Sequence, residues 1–252
     1  MLPDVSETKA RALEALSGSG LGVRVLVSYT TLTWKPGGLS RLRGLVEGGV
    51  VAGVMLDSGA YHAMALGVRV DVGEYARLAL AAGVPWELVA APDIPGDPGA
   101  TLARTREFME AYPREFLPVL QGQSVEGYLG SLNDLERIGA VERAPRLPRG
   151  VRLLGIGGLD GERSRAGFIA RLLEALPEGY MFHLFGVGAR TLRALSRRGL
   201  LWRVYSIDSG GWLAEIRYRR RTIHRARGTL EANIAAMRSY IERIRGALHA
   251  RA

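Results

Sequence analysis

Val151-Arg152-Leu153-Leu154-Gly155-Ile156-Gly157 is apolar from Leu153 onward, without the polar alternation of a half-exposed strand, and it runs into Gly158-Leu159. Continuity of this kind marks a strand covered on both faces, as in a parallel sheet. Six further runs share the pattern: VRVLVSY (23–29), VVAGVML (50–56), WELVAAP (86–92), EFLPVLQ (115–121), MFHLFGV (181–187) and RVYSID (203–208). Amphipathic stretches lie between them. Asp71-Val72-Gly73-Glu74 forms a capping box ahead of Tyr75, Leu78 and Ala79. Leu102, Thr105, Phe108 and Tyr112 share one helical face, and Val125, Leu129, Leu132 and Leu135 another. Phe168, Leu172, Leu173 and Leu176 precede Pro177, which halts their helix. A last helix carries Leu230, Ile234, Met237, Ile241, Ile244 and Leu248 on one face.

Seven strand–helix repeats predict an α/β fold of the (β/α)8 TIM-barrel type, with an eighth strand in WLAEIRY (212–218); a doubly wound open sheet is the alternative. No linker rich in Pro, Gly or Ser divides residues 1–252, so one domain is expected. Its parts are a helix near 1–20 acting as a lid, a barrel over 21–218, and a basic segment and helix over 219–252 that wraps the barrel.

The chain has 252 residues, 47% hydrophobic and 23% charged, enough for a sizeable core. It has no cysteine, which excludes disulfides and thiolate metal sites and favours a cytoplasmic location. The histidines (His62, His183, His224, His249) have no zinc spacing, and neither metal nor cofactor is expected. No run approaches a membrane span, and the start lacks a signal-peptide core. Lys9 and Lys35 are the only lysines, and amides are confined to Asn133, Asn233, Gln121 and Gln123, a composition that fits a thermophile or an arginine-rich codon bias. From Arg217 to Ala252 ten arginines stand against Glu231 and Glu242, a net +8 of the chain's +9. So concentrated a charge points to a polyanion, nucleic acid before membrane, with Arg217, Arg219, Arg220 and Arg221 as phosphate contacts; the alternative is a solvated helix surface.

Nearly every strand ends in residues capable of chemistry: Asp57-Ser58-Gly59-Ala60-Tyr61, Asp93-Ile94-Pro95-Gly96-Asp97, Gln121-Gly122-Gln123, Gly157-Gly158-Leu159, Phe185-Gly186-Val187-Gly188 and Asp208-Ser209-Gly210-Gly211-Trp212. In a barrel these ends converge on one mouth. One strand-end aspartate is usually a helix cap. Three on one rim repel one another unless a ligand or fixed donors offset the cost. They disfavour a phosphate and suit a ligand rich in donors, such as guanine, whose N1–H and N2–H2 a carboxylate accepts and whose O6 needs an amide or backbone N–H. Asp97 is expected to be a turn residue, His62 a rim hydrogen-bonder, His183 structural and Trp86 core, whereas Trp212 stacks on a ligand or caps the core.

DSGAY (57–61), APD (91–93), QG (121–122), GIGGL (155–159), LFGVG (184–188) and IDS (207–209) together resemble, in order, the tRNA-guanine transglycosylases over about residues 50–212. The resemblance implies exchange of guanine in a nucleic acid for a 7-deazaguanine through a covalent aspartyl-ribosyl intermediate. It implies Asp208 as nucleophile and Asp57 as general acid/base, with Asp93, Gln121, Gly122 and the N–H groups around Gly157, Gly158 and Leu159 reading the base between Tyr61 and Phe185. It also implies a homodimer. His62 stands where the family has Gln, Asp208 is followed by Ser-Gly-Gly-Trp, and the family's zinc ligands are missing. These departures make the chain more similar to a compact zinc-less branch acting on DNA, so the partner is expected to be DNA or tRNA. Two rivals are a non-catalytic nucleic-acid-binding or partner subunit of the same fold, and an unrelated phosphate-binding barrel enzyme of small-molecule metabolism.

Overall fold

The computed structural model describes residues 7–17, 22–34, 36–159, 165–209 and 229–249. Seven strands follow one another along the chain: β1 (Arg24–Ser28), β2 (Gly53–Asp57), β3 (Leu88–Val89), β4 (Val119–Leu120), β5 (Arg152–Ile156), β6 (Tyr180–Leu184) and β7 (Val204–Ile207). Every neighbouring pair is parallel, in the order β1-β2-β3 and β4-β5-β6-β7. A parallel bridge between Ala90 and Leu117 joins the two groups. Spatial order therefore follows chain order. A doubly wound sheet would reverse direction at a switch point, so the barrel expectation holds and the open-sheet alternative fails. β3 and β4 are short because Pro92 and Pro118, which lack an N–H, interrupt the ladder beside them. The eighth strand expected at 212–218 lies outside the described residues, as does Trp212.

Each turn from strand to strand passes through a helix. After the N-terminal α1 (Glu7–Ser17) come α2 (Tyr29–Trp34), α3 (Gly38–Glu47), α4 (Ala60–Ala65), α5 (Val72–Ala81), α6 (Pro98–Ala111), α7 (Val125–Arg137), α8 (Ala166–Ala175), α9 (Ala189–Arg197) and α10 (Leu230–His249). The expected capping box closes on one side: Asp71 Oδ1 accepts the Glu74 N–H at 2.7 Å. Asp97, expected as a turn residue, caps α6 and accepts the Ala100 N–H at 2.9 Å. Trp86 is part-buried against the core and donates its indole N–H to the Ala79 carbonyl.

Two apolar layers result. Leu26, Met55, Leu88, Ala90, Leu117, Val119 and Leu153, from β1 to β5 and the residues beside them, fill the inside of the cylinder. The larger layer lies between strands and helices and includes the stacked Phe108 and Tyr112 with Phe116 edge-on. Two sequence expectations need correction here. Helix α1 is not a lid: it packs against α3 and α10 and buries Ala12, Leu13 and Leu16, so it belongs to the helical shell. Nor does α10 wrap the barrel as an appendage. It packs against α1 and α9 with Asn233, Ala236, Met237 and Tyr240 buried, and its arginines Arg238, Arg243 and Arg245 lie on the exposed side.

Arg203, just ahead of β7, is buried beneath the shell. Its guanidinium donates to the carbonyls of Leu176 (3.0 Å) and Pro177 (2.7 Å) and lies 5.2 Å from the centre of the Phe182 ring. Arg203→Leu is expected to lower unfolding free energy by ~1.5–3 kcal/mol, since two carbonyls lose a charged donor. Urea denaturation of both proteins measures this, and an unchanged midpoint would contradict it.

Candidate active site

Because all strands run the same way, β2, β3 and β7 deliver Asp57, Asp93 and Asp208 to one end of the barrel. Asp57 closes β2, and its Oδ2 accepts the Gly59 N–H at 2.8 Å. Asp93 lies on the loop beyond β3, anchored where Thr101 Oγ1 accepts the Ile94 N–H at 2.9 Å. Asp208 immediately follows β7, and its Oδ1 accepts the Gly186 N–H at 2.9 Å. All three carboxylates, half-buried, face a cavity of about 540 Å³. Tyr61, Gly157, Gly158, Leu159 and Phe185 also line it. Eight of the residues singled out in the sequence thus meet around one space. Two other cavities open at the opposite end of the strands, lined by residues such as Arg24, Glu87 and Trp202, and gather no comparable set of carboxylates.

The three carboxyls are in unlike electrostatic states. Burial, then the neighbouring charges of Asp93 and Asp208, push Asp57 up to about 7 against the pull of the Gly59 and Ser58 N–H groups. Burial likewise raises Asp93, to about 6, although the Gln121 amide and the charge of Arg104 oppose it. Burial would raise Asp208 too, but the neighbouring His183 ring and the Gly186 N–H outweigh it and hold Asp208 below the ordinary aspartate value.

Other expected positions do not offer the contact foreseen for them. Gln121 is fully buried, and Nε2 donates to Asp93 Oδ2 while Oε1 accepts the Gly96 N–H at 2.9 Å. It holds Asp93 from behind the cavity lining. Gly122 backs onto the start of α7, where a Cβ would lie 2.7 Å from the Tyr128 nitrogen. The Gly157 N–H already donates to the Leu120 carbonyl and has no bond left for a ligand. Arg217, Arg219, Arg220 and Arg221 lie outside the described residues.

Sequence reasoning missed four participants. Leu26 and Ser28 of β1 line the cavity, although their run carried no acidic or glycine signal at its end. Tyr128 of α7 donates its hydroxyl to the Gly157 carbonyl at 2.7 Å and fixes the glycine loop. His183 was expected to be structural, yet it lies beside Asp208, with Nε2 3.4 Å from Oδ1. Its position in an apolar strand concealed this, and only the register of the next strand reveals it. His62 lies on the rim as expected, 3.5 Å from Thr30 Oγ1 and with its ring beside Trp34.

No family model matches the chain, and a search of curated proteins finds no match. Among solved structures the chain is similar over 98% of its length to one from Coccidioides immitis assigned as a fructose-1,6-biphosphate aldolase. That likeness has 13% identity, a TM-score of 0.57 and 88% coverage of the other chain. It is similar over 98% of its length to native KDPGal as well, at 14% identity, a TM-score of 0.50 and 93% coverage of that chain. At such identity these likenesses establish the barrel fold.

They also overturn the resemblance to tRNA-guanine transglycosylases, because the solved structures found similar carry other descriptions, one of them that of an aldolase. With it fall guanine exchange, the 7-deazaguanine ligand, the DNA or tRNA partner and the homodimer. The physical reason lies in the motifs themselves. Any parallel barrel must turn from strand to helix at each strand end, and glycine with a small polar or acidic residue makes that turn. Gly59, Gly96, Gly158 and Gly186 all have φ between 66° and 76°. Short Asp/Gly motifs in barrel order therefore report the architecture. Among the described residues no helix is long and apolar enough to cross a membrane.

Two outcomes are expected. Asp57 has a folded value above that of an unfolded aspartate, so the stability it contributes is whole at low pH and is lost as pH rises through about 7. Asp57→Asn, which cannot ionise, is expected to raise Tm relative to the parent by more at pH 8 than at pH 5; an equal change at both would contradict this. At Gly157 a Cβ would lie 2.3 Å from Gln121 Nε2 and 3.0 Å from Asp93 Oδ2. Gly157→Ala is expected to displace the Gln121–Asp93 pair and cost ~1–3 kcal/mol by overpacking, read by thermal melting.

Proposed function

We propose that the chain is an enzyme that cleaves a small, uncharged or cationic molecule by carboxylate general-acid chemistry, in the lyase class. The observation that carries this reading is one cavity faced by carboxyls driven in opposite directions, Asp57 up to about 7 and Asp208 below its ordinary value. Pairs of acids separated in this way divide into a proton donor and a fixed charge.

In this assignment Asp57, protonated near neutrality, gives its proton to the carbonyl oxygen of a β-hydroxy carbonyl substrate as the C–C bond breaks and its electron pair forms the enol. Asp208 stays ionised and stabilises the positive charge that develops on the carbonyl carbon. Asp93, held by Gln121, accepts the hydrogen bond and then the proton of the β-hydroxyl, whose carbon leaves as the aldehyde. Tyr61 and Phe185 give an apolar, flat-faced border for the rest of it. A volume of about 540 Å³ suits a metabolite-sized molecule. Among the described residues three carboxylates and no Lys or Arg line the cavity, which disfavours a phosphate-centred ligand, so the phosphate-binding form of the small-molecule rival is set aside and its metabolic form kept.

The likeness to a structure described as an aldolase supports lyase chemistry, but one route to it does not fit. Carbonyl activation through a lysine Schiff base needs a lysine in the pocket. Among the described residues none lines the cavity: Lys9 lies on α1, and Lys35 lies outside the described residues. Nor do any three described His, Asp or Glu side chains make a metal-holding group. Protonation by Asp57 is the activation that these residues offer.

Incubation with a panel of uncharged hydroxy-aldehydes, hydroxy-ketones and their amino counterparts, followed by proton NMR, tests the proposal. Turnover is expected to fall as pH rises through about 7, where Asp57 loses its proton. Asp57→Asn is expected to reduce it ~10²–10⁴-fold, the usual contribution of a general acid. Turnover by Asp57→Asn at the parent rate would remove Asp57 from the mechanism.

A further inference from the structure

β6 and β7 do not pair in regular register. Phe182 stands opposite Val204, but His183 stands opposite Ser206, so Tyr205 is an extra residue in β7. Bulges of this kind recur beside active sites, where they re-aim a side chain. Here the bulge leaves the Tyr205 side chain 40% exposed and brings Ser206 level with His183. The Ser206 hydroxyl then lies 2.7 Å from His183 Nδ1. Two residues later Asp208 emerges at the strand end, with Oδ1 3.4 Å from His183 Nε2.

The His183 side chain is fully buried and packs edge-on against Phe185, with ring centres 4.4 Å apart. Its Nε2 makes no aligned hydrogen bond, although it points at a carboxylate just beyond good hydrogen-bond distance. A buried imidazole nitrogen without a partner carries a cost, which a small approach of Asp208 would relieve. Among the described residues the titratable groups facing Asp208 are His183 on β6, Asp57 on β2 and Tyr240 on α10. Asp57 raises the cost of a charge on Asp208, and of these side chains only His183 can answer it with a ring N–H.

We infer that Ser206, His183 and Asp208 form a relay in which His183 is the positioning residue for the Asp208 carboxylate. The Ser206 hydroxyl donates to Nδ1 and so fixes the tautomer that carries its proton on Nε2. That Nε2–H faces Asp208 and holds it ionised and aimed into the cavity. No bond is made or broken in the relay; its work is orientation and charge. The inference deepens the function proposed above and rests on it for the part Asp208 plays in the chemistry.

NMR of the full chain labelled with ¹³C at aspartate side chains and ¹⁵N at histidine rings tests the relay without any substrate, with Asp208→Asn used only to assign the Asp208 signal. The parent is expected to show His183 as the Nε2–H tautomer over the neutral range. Ser206→Ala is expected to weaken that tautomer preference and raise the Asp208 titration midpoint by about one pH unit. Ser206→Thr, which keeps the hydroxyl, is expected to restore both. His183→Phe is expected to raise the midpoint further; if it fails to fold, the Ala and Thr variants at position 206 decide the matter alone. An Asp208 midpoint equal in the parent and in a folded Ser206→Ala, or a parent His183 carrying its proton on Nδ1, would overturn the inference. The two readings fail separately. Inactivity on the carbonyl panel with a shifted Asp208 midpoint removes the proposed function and keeps the relay, and turnover with an unmoved midpoint does the reverse.

Discussion

Three carboxyl groups around one cavity repel one another, and the surrounding structure is arranged to make that repulsion tolerable. Each aspartate is relieved by a different route. Asp57 keeps its proton into the neutral range because burial and its neighbours' charges disfavour ionisation. Asp93 is held by the Gln121 amide, whose own carbonyl is satisfied by the Gly96 N–H. Asp208 receives the Gly186 N–H and faces His183. One kind of side chain in three settings yields a donor, an anchored acceptor and an anion. Identical settings would have given three acids titrating together, with no division of labour.

That differentiation depends on residues that never enter the cavity. Gln121 can reach Asp93 only because position 157 carries no Cβ, and Tyr128 ties the Gly157 carbonyl down from the far side. Position 158 has a φ of +66°, and a Cβ there would lie 2.4 Å from Gln121 Oε1, so glycine meets two demands at once. The β7 bulge plays the corresponding part for Asp208, setting Ser206 against His183. The aspartates are therefore only as well placed as a glycine loop, a tyrosine and one strand irregularity allow.

The legibility of the chain follows from which of these interactions are local. Strand runs such as Leu153–Ile156 and the Asp71 cap depend on neighbours in sequence, and both were visible there. The convergence of Asp57, Asp93 and Asp208 was visible too, because it follows from parallel strands ending on one side. The state of each carboxyl was not. Gln121 has the same sequence signature whether its amide reaches a ligand or Asp93, and only the fold shows that it reaches Asp93. His183 was hidden more completely, since its role depends on a shifted register that no residue in β6 or β7 announces. The basic C-terminal stretch misled for a related reason. Charge counts do not record that α10 must bury Ala236, Met237 and Tyr240 against its neighbours, which leaves its arginines the outer face whatever the protein binds.

The short motifs that suggested a nucleic-acid enzyme illustrate how strongly a barrel constrains its own sequence. At each strand end the chain must reverse, free a backbone group or cap a helix, and expose polar atoms to a shared mouth. Glycine at positive φ and aspartate as acceptor meet these needs in any (β/α)8 protein. A series of such motifs in order therefore has few independent degrees of freedom, and its agreement with one family is weaker than the number of motifs implies. What distinguishes one barrel's chemistry from another's is the local field at each carboxyl, set here by Gln121, His183 and the spacing of the acids themselves. Identification has to rest on that field, because the aspartates alone are what the architecture would supply for many reactions.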